Sequence, residues 1–95
     1  MFNKLKQIKD LRDQAKVLKE ALEKESVEGA GGWGKVKIIM NGNQEVVSVT
    51  IDPELAASDK KEKLEEATKE AVNDAIKKCQ RVMAQKMQSM GNLPF

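Results

Sequence analysis

The sequence predicts an α+β fold: an N-terminal helix, a three-stranded antiparallel sheet built from a hairpin and a short edge strand, and a long C-terminal helix. Three observations carry this reading. Residues 34–51 contain two runs of alternating apolar residues around the turn signal Asn41-Gly42-Asn43. Residues 2–25 place apolar side chains at spacings of three and four, and residues 60–89 do the same over about thirty positions without a Gly or Pro. A period of two marks strands with one covered face, and a period near 3.6 marks amphipathic helices.

In the first helix, residues 2–25, the stripe is Leu5, Ile8, Leu11, Ala15, Leu18 and Leu22. Beside it run Lys9, Arg12, Lys16 and Lys19 at spacings of three, four and three. At about 100° per residue these bases form one row flanking the apolar face, a candidate phosphate-contacting ridge. Residues 26–30, around Val27, read as an extended edge segment. The glycine-rich bend that follows satisfies G-x-G-x-x-G at Gly29, Gly31 and Gly34. A dinucleotide fingerprint needs a strand before it and a helix after it; here a helix precedes and a strand follows, so the match is rejected. Trp33, the single tryptophan, stands among glycines unable to shield it and is expected at a core edge or subunit interface.

The hairpin strands fall at about 34–40 and 45–51. Val36, Ile38 and Met40 share one face of the first, and Val47, Val49 and Ile51 share one face of the second. Asp52-Pro53 ends the second strand, with the carboxylate as cap and Pro at the first helical position. Asp59 and Glu62 have the spacing of a capping box ahead of the last helix. Small residues dominate the first half of that helix's stripe, which suits close packing on a sheet; Met83, Met87 and Met90 dominate its second half, which suits an adaptable surface. From residue 75 to 90 it holds Lys77, Lys78, Arg81 and Lys86 and no acid. A helix of about thirty residues spans ~45 Å and an eight-residue strand ~27 Å, so the last helix is expected to overhang the sheet and to be covered by a second copy.

The chain is 95 residues long, of a size for one domain. Its formal net charge is only +2, so any polyanion must be held by local rows of bases. There is no histidine, which removes the commonest general base and the commonest transition-metal ligand. A single cysteine precludes an intramolecular disulfide and fits a reducing cytoplasm. Residues 1–10 lack an apolar signal core, and no run approaches transmembrane length. No catalytic residue, metal ligand, cofactor, small-molecule substrate or membrane contact is expected. Asp52, Asn73 and Asp74 are the nearest approach to an acid-base cluster, and they read as cap and helix-surface residues.

Several segments, in order, resemble the YbaB/EbfC nucleoid-associated family. They are Val27-Glu28-Gly29, Gly31-Gly32, Val36-Lys37, Asn41-Gly42, Val49-Thr50-Ile51-Asp52-Pro53, Leu64-Glu65-Glu66 and Ala71-Val72-Asn73-Asp74-Ala75, followed by the tail 91–95. The resemblance covers nearly the whole chain and departs at Trp33 and Cys79. It implies a small bacterial protein of the cytoplasm and nucleoid, a tweezer-like homodimer that binds double-stranded DNA, bends or organises it, influences gene expression and is not an enzyme. It transfers no contact residues. The residues themselves nominate Lys9, Arg12, Lys16, Lys19, Lys77, Lys78 and Arg81 for DNA, and Trp33, Cys79, Met83, Met87 and Met90 for the dimer. Two other plans share the helix–hairpin–helix order: a prefoldin-like holdase, for which the first helix is short, and a protein-interaction module that docks through the methionines.

Overall fold

The computed structural model describes residues 2–89, with side chains from residue 4 onward. Met90 and the tail 91–95 lie outside the described residues. The elements are α1 (Phe2–Glu23), β1 (Ser26–Gly31), β2 (Val36–Asn41), β3 (Val46–Ile51), two short 3-10 turns (Pro53–Ala56 and Ser58–Lys60) and α2 (Lys61–Ser89). The strands form one antiparallel sheet in the order β1-β2-β3. This is the architecture expected from the sequence.

β2, the central strand, buries Val36, Ile38 and Met40 against α2, as its alternation predicts. α2 runs antiparallel to β1 and meets it along the row Ala67, Ala71, Ala75 and Cys79, all fully buried. That row repeats every four residues and presents almost no side-chain bulk. Opposite it stand Gly29 and Gly31. A Cβ at Gly29 would fall on the Ala71 carbonyl oxygen and 2.5 Å from the Ala75 nitrogen; one at Gly31 would fall on the Ala67 carbonyl oxygen. Two glycines of the rejected G-x-G-x-x-G match thus serve close backbone packing of a helix on a strand, not a phosphate cradle.

The two turns use backbone conformation differently. At the β1–β2 tip, Gly32, Trp33 and Gly34 all have positive φ (59°, 59° and 84°), so β2 starts at Val36 rather than near 34. At the β2–β3 turn the positive φ falls on Gln44 (63°), just past the Asn41-Gly42-Asn43 turn signal. Asn41 organises that turn: its Oδ1 accepts the backbone N–H groups of Asn43 (2.9 Å) and Glu45 (3.1 Å). Gly42 is needed for proximity. Its N–H donates to the Leu22 carbonyl at 2.8 Å, and a Cβ there would sit 2.6 Å from the same oxygen. Asp52 caps the first 3-10 turn, accepting the Glu54 N–H at 2.9 Å with Pro53 at the first position. Asp59 does not open α2; it lies inside the second 3-10 turn, whose preceding residue Ala57 offers no side-chain cap.

Both long helices run past the sheet: α2, at 29 residues or ~43 Å, exceeds the ~20 Å of a six-residue strand as expected, and α1 projects as well. α2 follows β1 from Ala67, beside Gly31, to Cys79, beside Asn41 and Gly42, and its later turns run on to Lys86, which pairs with Glu25 at 2.9 Å. α1 instead leaves the sheet at Leu22, where Gly42 and the Asn43 amide (3.0 Å to the Lys19 carbonyl) hold its last turn. Residues 4–13 of α1 are exposed throughout, and the protomer measures 66 × 20 × 17 Å. Its apolar stripe continues along this arm without cover: Leu5 is 76 % exposed.

Candidate nucleic-acid interface

The sheet has one sealed edge and one open edge. Along β1, α2 supplies side chains to the outward backbone groups. The Ala30 N–H donates to Asp74 Oδ2 (3.0 Å), the Gly32 N–H donates to Glu70 Oε2 (3.1 Å), and Lys78 Nζ donates to the Glu28 carbonyl (2.8 Å). The Ala30 amide, and after it the Lys78 ammonium at 3.2 Å, hold the Asp74 carboxyl below the usual carboxylate range. β3 has no such cover. Val47 and Val49 are 66 % and 53 % exposed, with Val46 and Ile51 open beside them. A helix about 10 Å across covers two strands spaced ~4.8 Å apart, and α2 lies over β1 and β2, so the third strand is left bare.

The bases divide in the same way. Lys35 bonds Glu54 at 2.8 Å, which raises the lysine and lowers the carboxyl from their ordinary values. Lys37, Lys69, Lys78 and Lys86 also have acidic partners. Lys78, nominated for DNA by the sequence, is a structural tie between α2 and β1. Lys9, Arg12, Lys16 and Lys19, and Lys77 and Arg81, are exposed and take part in no salt bridge among the described residues. The four on α1 form one row that runs about 15 Å along the arm from Lys9 to Lys19. Lys77 and Arg81, one turn apart, lie on α2 on either side of the buried Cys79.

The residues nominated for the dimer scatter. Trp33 is not a core-edge anchor: it is fully exposed (103 %) at the β1–β2 tip. Cys79 is buried within its own protomer, its thiol directed at the Asn41 and Gly42 carbonyls (3.2 Å each), so it has no surface to offer a second chain. Met83 is half-buried against the same core and Met87 is exposed; Met90 lies outside the described residues. The apolar surface that the sequence did not single out is β3. Its alternation gave the correct face but could not say that α2 is too narrow to reach it.

Among the described residues no group of three His, Cys, Asp or Glu side chains could hold a metal ion, and no helix is long and apolar enough to cross a membrane. The fold and surface define a small α+β protein with two open features, a bare apolar strand and an exposed helical arm that carries a row of bases. Comparison with known proteins gives the family. The model of the YbaB/EbfC DNA-binding family matches residues 1–93, and the chain belongs to that family. It is 40 % identical over 91 residues to a nucleoid-associated protein of Dictyoglomus thermophilum, covering 96 % of this chain and 88 % of that one. It is also 40 % identical over 86 residues to a nucleoid-associated protein of Gloeobacter violaceus, covering 90 % and 77 %. The crystal structure of an uncharacterized protein from Helicobacter pylori superposes with a TM-score of 0.78 over 97 % of this chain and 98 % of that one; at 24 % identity it shows the shared fold.

Proposed function

We propose that this nucleoid-associated DNA-binding protein engages duplex DNA as a symmetric homodimer, chiefly through phosphates, and acts in the cytoplasm at the nucleoid without catalysing a reaction. The observation that supports this reading is the partition of the bases. Five bases on the sheet and α2, Lys35, Lys37, Lys69, Lys78 and Lys86, face acids, whereas the row Lys9-Arg12-Lys16-Lys19 takes part in no salt bridge among the described residues and is held out on an exposed helix. Lys77 and Arg81 form a smaller second set. Cations on a regular helical row neutralise phosphates without reading bases, so binding is largely sequence-independent.

The dimer half of the proposal rests on β3 and the α1 stripe. Val46, Val47, Val49 and Ile51 expose an apolar strand with an unpaired edge, which in a lone protomer is an invitation to pairing. A second copy seated on β3 covers it and sets two basic arms on a two-fold axis, able to grip two positions on one duplex and so to bend or organise it. The test is Val49→Asp, which would place a charge in the contact. At dilute chain concentration, where only the first association forms, the wild-type chain should scatter light as about twice 10.6 kDa, and the variant as one chain with far weaker duplex binding. A variant that stays dimeric, or a wild-type monomer that binds duplex with full affinity, overturns the reading.

A further inference from the structure

Trp33 is the most exposed large side chain described, and its backbone is held where a bulky residue seldom sits. Its φ of 59° falls between two glycines that also have positive φ. The left-handed conformation costs a non-glycine residue roughly 1–2 kcal/mol, and the fully exposed indole buries no surface within the protomer to offset it. Two clefts flank the indole. One, of about 330 Å³, has a floor of Leu55 and Ala67, both buried, and a rim carrying Lys35 and Lys63 beside Glu66 and Glu70. The other runs along Ala30 and Gly31 on the β1 side. No β3 residue lines either cleft. The tip also stands at the far end of the body from the basic arm: Gly31 lies over Ala67 and the arm's base lies by Lys86, about 28 Å apart along α2.

We propose that the Trp33 tip is a second self-association surface, at which two copies of this chain exchange indoles into each other's Leu55–Ala67 cleft. Two observations select a second copy over other occupants. The rim carries Lys63 beside Glu66, so under a two-fold operation the Lys63 of each copy can meet the Glu66 of the other. A nucleic acid would meet Glu54, Glu66 and Glu70 at the tip, with Lys35 already engaged by Glu54. With one contact through β3 and another through the tip, dimers join into larger assemblies with DNA arms facing away from each junction, an arrangement suited to bridging separate duplexes. The tip contact requires only the chain itself and stands apart from DNA binding.

The test follows sedimentation velocity and the fluorescence of Trp33, the only tryptophan, over a range of protein concentrations. Mass should rise in two steps, and emission should shift to the blue with the second. Trp33→Gly, which suits a positive φ and should fold well, should keep the first step and duplex binding per dimer. It should weaken the second step by about 30-fold or more, as expected for a buried tryptophan anchor. Lys63→Glu should also weaken the second step, and Lys63→Glu with Glu66→Lys should restore it. Four outcomes overturn the proposal: a mass that stays at one dimer, a second step unchanged in Trp33→Gly, loss of the first step in that variant, or an emission shift that follows added duplex or single-stranded DNA instead of protein concentration. Failure of duplex binding with both association steps intact would overturn the DNA reading and leave this one standing.

Discussion

Replacing Gly31 by Ala tests the packing that positions everything else. The new methyl carbon would fall on the Ala67 carbonyl oxygen and lie 2.8 Å from the Ala71 nitrogen, both backbone atoms of α2 that no rotamer change can move. The helix must retreat by roughly 1 Å or more, and overpacking of this kind typically costs 1–3 kcal/mol. The same retreat stretches the Asp74–Ala30 and Glu70–Gly32 bonds, each worth about 0.5–1.5 kcal/mol. The expected loss is therefore about 2–6 kcal/mol, a large share of a stability that for a domain of this size is about 5–15 kcal/mol. Gly34→Ala is the control: nothing lies within 4 Å of its Cβ, but its φ of 84° is unfavourable, so it should lose only about 1–2 kcal/mol. Urea unfolding followed by circular dichroism at one fixed chain concentration reads both, since stability of an associating protein depends on concentration. Gly31→Ala within about 1 kcal/mol of wild type, or less damaging than Gly34→Ala, would refute the close-approach argument.

Asp74→Asn should destabilise by about 1 kcal/mol at neutral pH, the charged bond to Ala30 being discounted because the carboxylate is partly exposed. The folded-state value of Asp74 is lowered, so its stabilisation is present above the unfolded value near 3.9 and is lost as pH falls through the folded one. Variant and wild type should thus converge in acid, and a gap that persists there contradicts the assignment. The Cys79 thiol, enclosed with the Asn41 and Gly42 carbonyls, should resist a thiol reagent in the native protein and react at the rate of global opening; rapid native labelling would mean that the core opens there. Lys78→Gln should lower stability more than duplex affinity, whereas Lys16→Gln should do the reverse, because Lys78 is tied to Glu28 and Asp74 and Lys16 is unpaired.

Much of the fold was legible because local signals agree with it. The alternation of Val36, Ile38 and Met40, the Asp52-Pro53 exit and the small-residue row of α2 all did what their periods and chemistry implied. The misses are tertiary. Glycine's two uses look alike in sequence, so Gly42 was read as a turn residue although its role is proximity to Leu22, and Gln44 took the positive φ. The overhang was assigned to α2 from length alone. Length could not show that α1 would leave the sheet as well, at Leu22. Basic residues were countable, but whether each faced an acid was not: Lys77 and Lys78 are neighbours in sequence, and only Lys78 reaches Glu28 and Asp74.

The central claim, that unpaired cations on the α1 arm hold DNA phosphates, is tested most directly by duplex affinity measured against salt for the wild type and for Lys9, Arg12, Lys16 and Lys19 all changed to Gln. Each neutralised phosphate contributes about −0.9 to the slope of log affinity against log salt. A dimer using two or three bases from each chain should give a slope near −4 to −5. The fourfold variant should stay folded and dimeric, bind more weakly on every duplex alike, and show a slope flattened toward what Lys77 and Arg81 alone supply. A variant with wild-type affinity and slope would contradict the account.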